Sequence, residues 1–453
     1  ACKWLFGKRS QCCYFPLSSE NVSVTLISLD LKLTRGFTVS ADSYLAMADK
    51  GWAVGMRNSN SRSIPLVRTI LLIILIGLNL RPSMAAIGPL VEAIRHDVSL
   101  SFTQLSLLTT LPVLAMGLGC FVSALLVKRV GFNSVITLAL ASIALSDALH
   151  WFDFGYAGLG TAALGAGIGI AFIQAALPAV IKQAAGEKTP MVMGFYIASI
   201  MGGAALAAAI TPVVSDYIGW QSALALWGLL ALAGLVGWVM RGQVLPAPSQ
   251  NSSVNIAFSA MARQPRFWSL AIFFGLGTAG YTCLLAWIPP TFIHLGWSET
   301  QAGLALSWLT AIEVIAGLTF PILAQQMKDR RPVLLLVLLL SVAGFLLLGL
   351  VPEAMAWLAI TLLGLGIGGL FPLSLIITMD HSDEPVLAGQ LTAWVQGIGY
   401  LIASLAPVAA GVIKDLLGSF EQAWLMLGVI FIGLIVMSLR FDQSKAPQQL
   451  RFS

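Results

Sequence analysis

Leu164-Gly165-Ala166-Gly167-Ile168-Gly169 recurs, 199 residues later, as Leu363-Gly364-Leu365-Gly366-Ile367-Gly368. Short apolar repeats arise by chance where Gly, Ala, Leu and Ile dominate, so the surroundings of this pair decide its meaning. Downstream, Gly194, Gly202, Ala208 and Pro212 match Gly389, Gly397, Ala403 and Pro407 at an offset of 195. Upstream, Ser101-Phe102-Thr103-Gln104 mirrors Ser298-Glu299-Thr300-Gln301 at an offset of 197. Three registers, in one order and nearly one spacing, describe a chain built as two similar halves. Parallel repeats of this kind are the architecture of transporters that hold a solute near the bilayer midplane, between two rocking bundles.

Composition names the solvent. Of 453 residues, 58% are apolar and 10% charged, against roughly 25% charged in an average soluble domain. That is too little charge for a water-facing shell. The apolar runs are about 20 residues long, the length that crosses the ~30 Å hydrocarbon core as a helix. The ten-residue alternation of a membrane barrel is absent, so helices are the structure that satisfies the backbone in lipid. The net charge of +5 is therefore no sign of a nucleic-acid partner. Cys2, Cys12, Cys13, Cys120 and Cys283 have no metal-binding or redox spacing, and the two inside apolar runs read as packing.

The fold expected is an all-α integral membrane protein, twelve transmembrane helices in two pseudo-symmetric six-helix bundles. The spans fall at 66–90, 104–127, 133–152, 155–181, 190–213 and 220–240, then 267–289, 301–325, 332–351, 354–379, 387–412 and 421–440. Residues 1–60 are polar and mixed, begin with Ala1, and include Met47 and Met56 as alternative starts; they read as a disordered tail or an upstream translation artefact. Residues 61–240 form the first bundle, 241–266 a Pro-, Ser- and Asn-rich cytoplasmic linker, 267–440 the second bundle and 441–453 a cytoplasmic tail.

Lys and Arg set the orientation. Nineteen follow Met56, and with a cytoplasmic N-terminus sixteen of them lie on the cytoplasmic side, Arg95 and Lys414 outside, and Arg81 within a span. Both termini are then cytoplasmic and the membrane is the cell inner (plasma) membrane. The loop Asp380 to Pro385 is assigned inside although it carries neither Lys nor Arg.

Several stretches resemble a known family. They are Gly77-Leu78-Asn79-Leu80-Arg81-Pro82 in the first span, Ile173-Gln174-Ala175-Ala176-Leu177-Pro178-Ala179-Val180-Ile181-Lys182 in the fourth, and Gly280-Tyr281 with Ala286-Trp287-Ile288-Pro289 in the seventh. Phe371-Pro372 with Asp380-His381-Ser382 and Gln396-Gly397-Ile398-Gly399-Tyr400 complete the set. From the first span to the last, the chain resembles the cyanate-permease-like branch of the major facilitator superfamily. The resemblance implies a secondary transporter of a small molecule, cyanate-like or nitroimidazole-like. One departure stands out. Where the superfamily usually carries Gly-x-x-x-Asp-Arg-x-Gly-Arg between its second and third helices, this chain has Val127 at the acidic position, which puts the gating clamp in doubt there. Lys328-Asp329-Arg330-Arg331 is the candidate replacement.

Polar residues inside the spans are the functional candidates. Arg81 is the basic residue well inside a span, and a cation there costs at least ~2.5–3.5 kcal/mol unless it is paired or wet. Its planar fork suits a small anion or polar heteroaromatic, while a structural ion pair is the plainer reading. Asn79 lies near it on another face. Glu313 is a carboxylate at the centre of the eighth span: a proton carrier, a fixed partner for Arg81, or a polar spot lined by water. Gln174, Tyr281, Trp287 and Gln396 can hydrogen-bond or stack on a solute, yet amides and aromatics also glue membrane helices. Tyr281 lies at the depth of Arg81; Trp287 lies toward the outer interface, where an aromatic belt is the bland explanation. His150, His294 and His381 sit near span ends and read as solvated. The repeated glycines read as close-packing and hinge positions.

A primary pump would need a Gly-x-x-x-x-Gly-Lys-Ser/Thr loop, and a membrane enzyme a cluster of His, Asp or Glu; the sequence has neither. The function expected is secondary active transport of a small polar or anionic molecule across the inner membrane by alternating access; a transporter-like sensor and an efflux transporter for small toxic organics are the alternatives. No cofactor, metal or obligate protein partner is expected; the partners are a small solute, the lipid bilayer and, on the coupling reading, protons.

Overall fold

The computed structural model describes residues 66–152, 154–185, 188–241, 258–327, 329–381 and 385–441. The expectations for residues 1–60, for most of the linker and for the C-terminal tail lie outside them.

Among the described residues twelve helices are long and apolar enough to cross a membrane, at the positions the apolar runs mark. They are α1 Val67–Val98, α2 Phe102–Ser123, α3 Phe132–Trp151, α4 Gly155–Lys182, α5 Met191–Ile218 and α6 Trp220–Met240 in the first half. The second half has α7 Pro265–His294, α8 Glu299–Gln325, α9 Arg331–Leu350, α10 Ala356–Met379, α11 Leu387–Leu417 and α12 Glu421–Ser438. The described residues contain no strand. A short linker helix, Phe258–Ala262, precedes α7. We call the side on which α6 meets the linker the linker face and the opposite side the far face.

The halves pack by one plan. In the first, α4 lies on α2 and α3, and α6 on α3; in the second, α10 lies on α8 and α9, and α12 on α9. The repeated glycines make these approaches possible, since interfaces in lipid gain from close van der Waals contact of backbones. Gly167 of α4 lies on the backbone of Pro112 and Gly169 on the carbonyl of Ala139; in the second half Gly366 lies on Ser341 and the Val337 carbonyl, and Gly368 on the backbone of Glu313. Any side chain at these points would need the neighbouring helix to move.

Three helices depart from the expected single rods: α1, α11 and, by a one-residue interruption at Leu226 between Trp220–Ala225 and Trp227–Arg241, α6. The first is broken into helical pieces at Leu66–Leu78, Pro82–Ala85 and Val91–Val98, with a 3₁₀ turn at Gly88–Leu90. Pro82 stands at the first position of its piece, where its missing N–H costs nothing. α11 is interrupted at Ser404, between Pro385–Ala403 and Leu405–Leu417. Pro407 cannot donate to the carbonyl of Ala403, and that carbonyl accepts instead from the Thr282 hydroxyl of α7 at 3.1 Å. Ser404 O next to it accepts from Thr110 of α2 at 3.0 Å. The break in α11 thus supplies acceptors to two neighbours.

Between the halves, α2 runs along α11, α5 along α8, and the turn after Arg81 against α7. At the linker face Trp394 of α11 stacks between Phe121 of α2, at 5.0 Å, and Phe258 of the linker helix, at 4.6 Å between ring centroids.

Candidate solute site

The break in α1 sets Arg81 at the middle of the molecule, with 4% of its surface exposed. Its Nη1 lies 3.6 Å from the sulfur of Met84 and 3.9 Å from that of Met116. The guanidinium carbon stands 5.2 Å from the centre of the Tyr281 ring, a cation–π contact. Sulfur and a ring face are weak partners, and Nε has none. Among the described residues no carboxylate lies within ion-pair distance of Arg81. The reading of Arg81 as half of a fixed ion pair therefore fails in this geometry.

Arg81 faces a cavity of about 140 Å³ between the halves. The first half contributes Arg81, Met116 and Gln174 with the apolar face of α5; the second contributes Thr278, Tyr281, Thr282, Glu313, Ser374 and Tyr400. Most of the remaining wall is apolar, with Phe273, Phe274 and Phe371 prominent. Glu313 is 4% exposed, and both of its carboxylate oxygens lack a hydrogen-bond partner. The hydroxyls of Tyr281 and Tyr196 are likewise buried without partners. Tyr196, Tyr281 and Tyr400 all lie within electrostatic reach of Arg81. The Nε of Arg81, the Tyr281 hydroxyl and the Glu313 carboxyl, without hydrogen-bond partners around one cavity, are groups held ready for something that enters it.

Four of the seven candidates from the sequence meet here: Arg81, Gln174, Tyr281 and Glu313. Three do not. Asn79 donates to the carbonyl of Leu75 in its own helix at 2.6 Å, and its amide is turned against Gly234 of α6. It seals the broken end of the first piece of α1 and lies off the cavity. Trp287 is neither a cavity wall nor part of an interfacial belt: it is 1% exposed. Its indole donates to the Pro407 carbonyl at 2.9 Å, and its ring packs on Phe102 and Phe420. Gln396 sits on α11, half-buried and outside the cavity lining. Sequence reasoning missed Met116, Thr278, Ser374 and Tyr400, whose types are common in any membrane helix. It also missed Asp147 of α3, a second buried carboxylate, 2% exposed, with Oδ2 unpartnered and the Ser83 hydroxyl beside it. A carboxylate near a span end is less conspicuous in sequence than one at the centre of a span.

The cavity is shut on one side. Toward the far face Gly88 lies on the Leu285 carbonyl and Pro289 of α7, Gly303 on the backbone of Ala208, and Gly411 on the carbonyl of Phe102. Toward the linker face a methyl group at Gly194 of α5 would only just reach Leu318 of α8, and α4 and α10 have no extended contact. At that face Arg330 pairs with Asp380 at 2.6 Å and Arg331 with Asp329 at 2.8 Å. Both pairs lie within the second half; the first ties the start of α9 to the end of α10, and the second is local, two residues apart. His381 is also tied in rather than solvated: it accepts from Arg266 Nε at 2.9 Å and its Nδ1 lies 2.7 Å from the Ile377 carbonyl.

Two six-helix bundles around a central cavity that holds Arg81 and Glu313 and is closed to one side define a secondary transporter, which moves a small molecule without chemistry on it. The sequence profile described as Major Facilitator Superfamily matches residues 73–385 and 279–452. The chain is 36% identical to the cyanate transport protein CynX of Escherichia coli (strain K12) over 84% of its own length and 98% of that protein's. It is 28% identical to the 2-nitroimidazole transporter of the same organism, over 80% of this chain and 92% of the other. Among solved structures, that of a D-xylose–proton symporter shares the fold, with a TM-score of 0.70 at 14% identity, covering 86% of this chain and 100% of that one. The chain belongs to the major facilitator superfamily, in its cyanate-permease-like branch.

Proposed function

We propose that this transporter carries a small polar or anionic solute, cyanate or a nitroimidazole foremost, into the cell by alternating access coupled to protons. Arg81 receives the solute and Glu313 carries the proton. The observation behind this reading is that Arg81 and Glu313 share one buried cavity, where among the described residues no carboxylate lies within ion-pair distance of Arg81 and neither Glu313 oxygen has a hydrogen-bond partner. Charge arithmetic supplies the coupling. With a proton on Glu313 the cavity holds one net positive charge and accepts an anion. With the proton gone, Arg81 and Glu313 cancel, and a bound anion meets a second negative charge. Solute and proton thus favour each other's binding, which is a coupling free energy in the ordinary reciprocal sense. The phenols of Tyr281 and Tyr400 offer donors around the guanidinium, and the aromatic wall suits a flat or narrow solute. On the charge distribution, the protein lies in the inner membrane with both termini in the cytoplasm, and residues 61–240 and 267–440 are the bodies that rock. The test is uptake into proteoliposomes under an imposed pH gradient, run across cyanate, 2-nitroimidazole and small organic acids. Accumulation of at least one of them that collapses with the gradient is expected. Specific binding of all of them without movement would contradict the reading and turn it toward a sensor.

A further inference from the structure

The first N–H groups of a helix have no acceptor within the helix. At the start of α2 one is settled locally: the Ser101 hydroxyl accepts from Gln104 N at 3.1 Å, and Gln104 Oε1 accepts from Ser101 N at 2.9 Å, a reciprocal capping box. The next two are settled by the other half of the protein. Asp415, near the far end of α11 and 313 residues from Phe102, accepts from Phe102 N at 3.1 Å and from Thr103 N at 2.8 Å. It also accepts from the Thr103 hydroxyl at 2.6 Å. A carboxylate at a helix N-terminus is favoured by the helix dipole as well as by the bonds. Phe102, held in this way, carries the Arg95 guanidinium 4.0 Å above its ring and packs edge-on against Trp287 and Phe420 of the second half.

The opposite seam is built differently. α8 begins with its own capping box, Ser298 with Gln301. There, however, Asp216 at the far end of α5 lies within electrostatic reach of Glu299, with Glu92 as a third like charge. One seam of the far face is bonded across the halves and the other carries charges that repel.

Alternating access requires the far ends of the two halves to part. We propose that Asp415 is the latch of the far gate: its three bonds to α2 break whenever the cavity opens to the far face, and their strength sets the fraction of molecules in which that face is shut. The inference needs only that the far face opens during transport, and is independent of which solute is carried.

Distances between spin labels on the far ends of the two halves test it. Tyr217 and Met355, 85% and 45% exposed, are replaced by labelled cysteines in the full chain with its native cysteines changed to serine. The parent should give mainly the short, closed distance. Asp415→Ala should raise the ratio of long to short distances by about tenfold or more, as expected for losing hydrogen bonds to a charged group. Asp415→Asn and Thr103→Ala, which each keep part of the latch, should shift it in the same direction by less. Distance distributions in Asp415→Ala that superimpose on the parent's would overturn the proposal, even with a lowered melting temperature, because Asp415 would then be only a cap. If Asp415→Ala does not fold, the two milder variants decide by the same criterion.

Discussion

Glu313 and Arg81 are unlike most buried polar groups because the carboxyl has no hydrogen-bond partner and the guanidinium has only two sulfurs and a ring face around it. That is an expensive arrangement in a membrane, and it persists where function needs the group free. Glu313→Gln keeps the shape and hydrogen-bonding capacity of the protonated acid while removing its ability to exchange the proton. It should abolish uphill accumulation yet spare solute counterflow, measured in the same proteoliposomes; retained accumulation driven by pH would return Glu313 to a structural part. Arg81 and Glu313 were legible in the sequence because a charge inside an apolar run is conspicuous. Asn79, Trp287 and Gln396 misled because residue type alone does not tell which face of a helix meets the cavity. Asn79 turns to α6, and Trp287 is consumed by the Pro407 carbonyl. Asp147 and Asp415 were hidden because both lie near span ends, where a buried or bonded carboxylate looks like one in water.

Helices were legible where hydropathy alone decides, and less so where polar residues continue them. All twelve spans stand where the apolar runs put them. Yet α1 reaches Val98 through Glu92, Arg95, His96 and Asp97, a polar segment that hydropathy does not mark. The kink of α11 was foreshadowed only by Pro407. Gly303 tests the role of small residues at the moving seam. A methyl group there would press on the Ala208 carbonyl of the other half, and overpacking of this kind costs ~1–3 kcal/mol. The cost falls on the far-closed state and not on either bundle alone. Gly303→Ala should therefore leave expression normal and slow transport by roughly tenfold; an unchanged rate would mean that the seam does not close so tightly. At the linker face, burial lowers His381 below the ordinary imidazole value of 6.5, the carbonyl of Ile377 and the charge of Arg266 being smaller influences. A histidine with a lowered value in the fold contributes stability above its unfolded pKa, and loses it as the pH falls below that point. Melting temperature should accordingly drop between pH 7.5 and 5.5, about a unit to either side of the free imidazole value. In His381→Gln that dependence should be weaker.

At the scale of the whole molecule, the repeat read from three offsets reappears as one packing plan used twice, with α2 on α11 and α8 on α5 as the seams between the copies. The seams themselves could not be read from sequence, since each joins residues of both halves. The 16-to-2 division of Lys and Arg predicts that reporter fusions in the 241–266 loop and at the C-terminus are active in the cytoplasm; a periplasmic signal from the loop would reverse the whole orientation. The central claim is that the solute sits between the halves at Arg81. It is tested most directly by comparing solute binding and uptake of the parent protein with those of Arg81→Ala and Arg81→Lys, at matched membrane levels. Removing the charge eases insertion, and lysine keeps the charge without the planar fork. The account predicts that Arg81→Ala inserts normally but neither binds nor moves the solute, and that Arg81→Lys binds at least roughly tenfold more weakly. Parental binding and uptake by Arg81→Ala would contradict it.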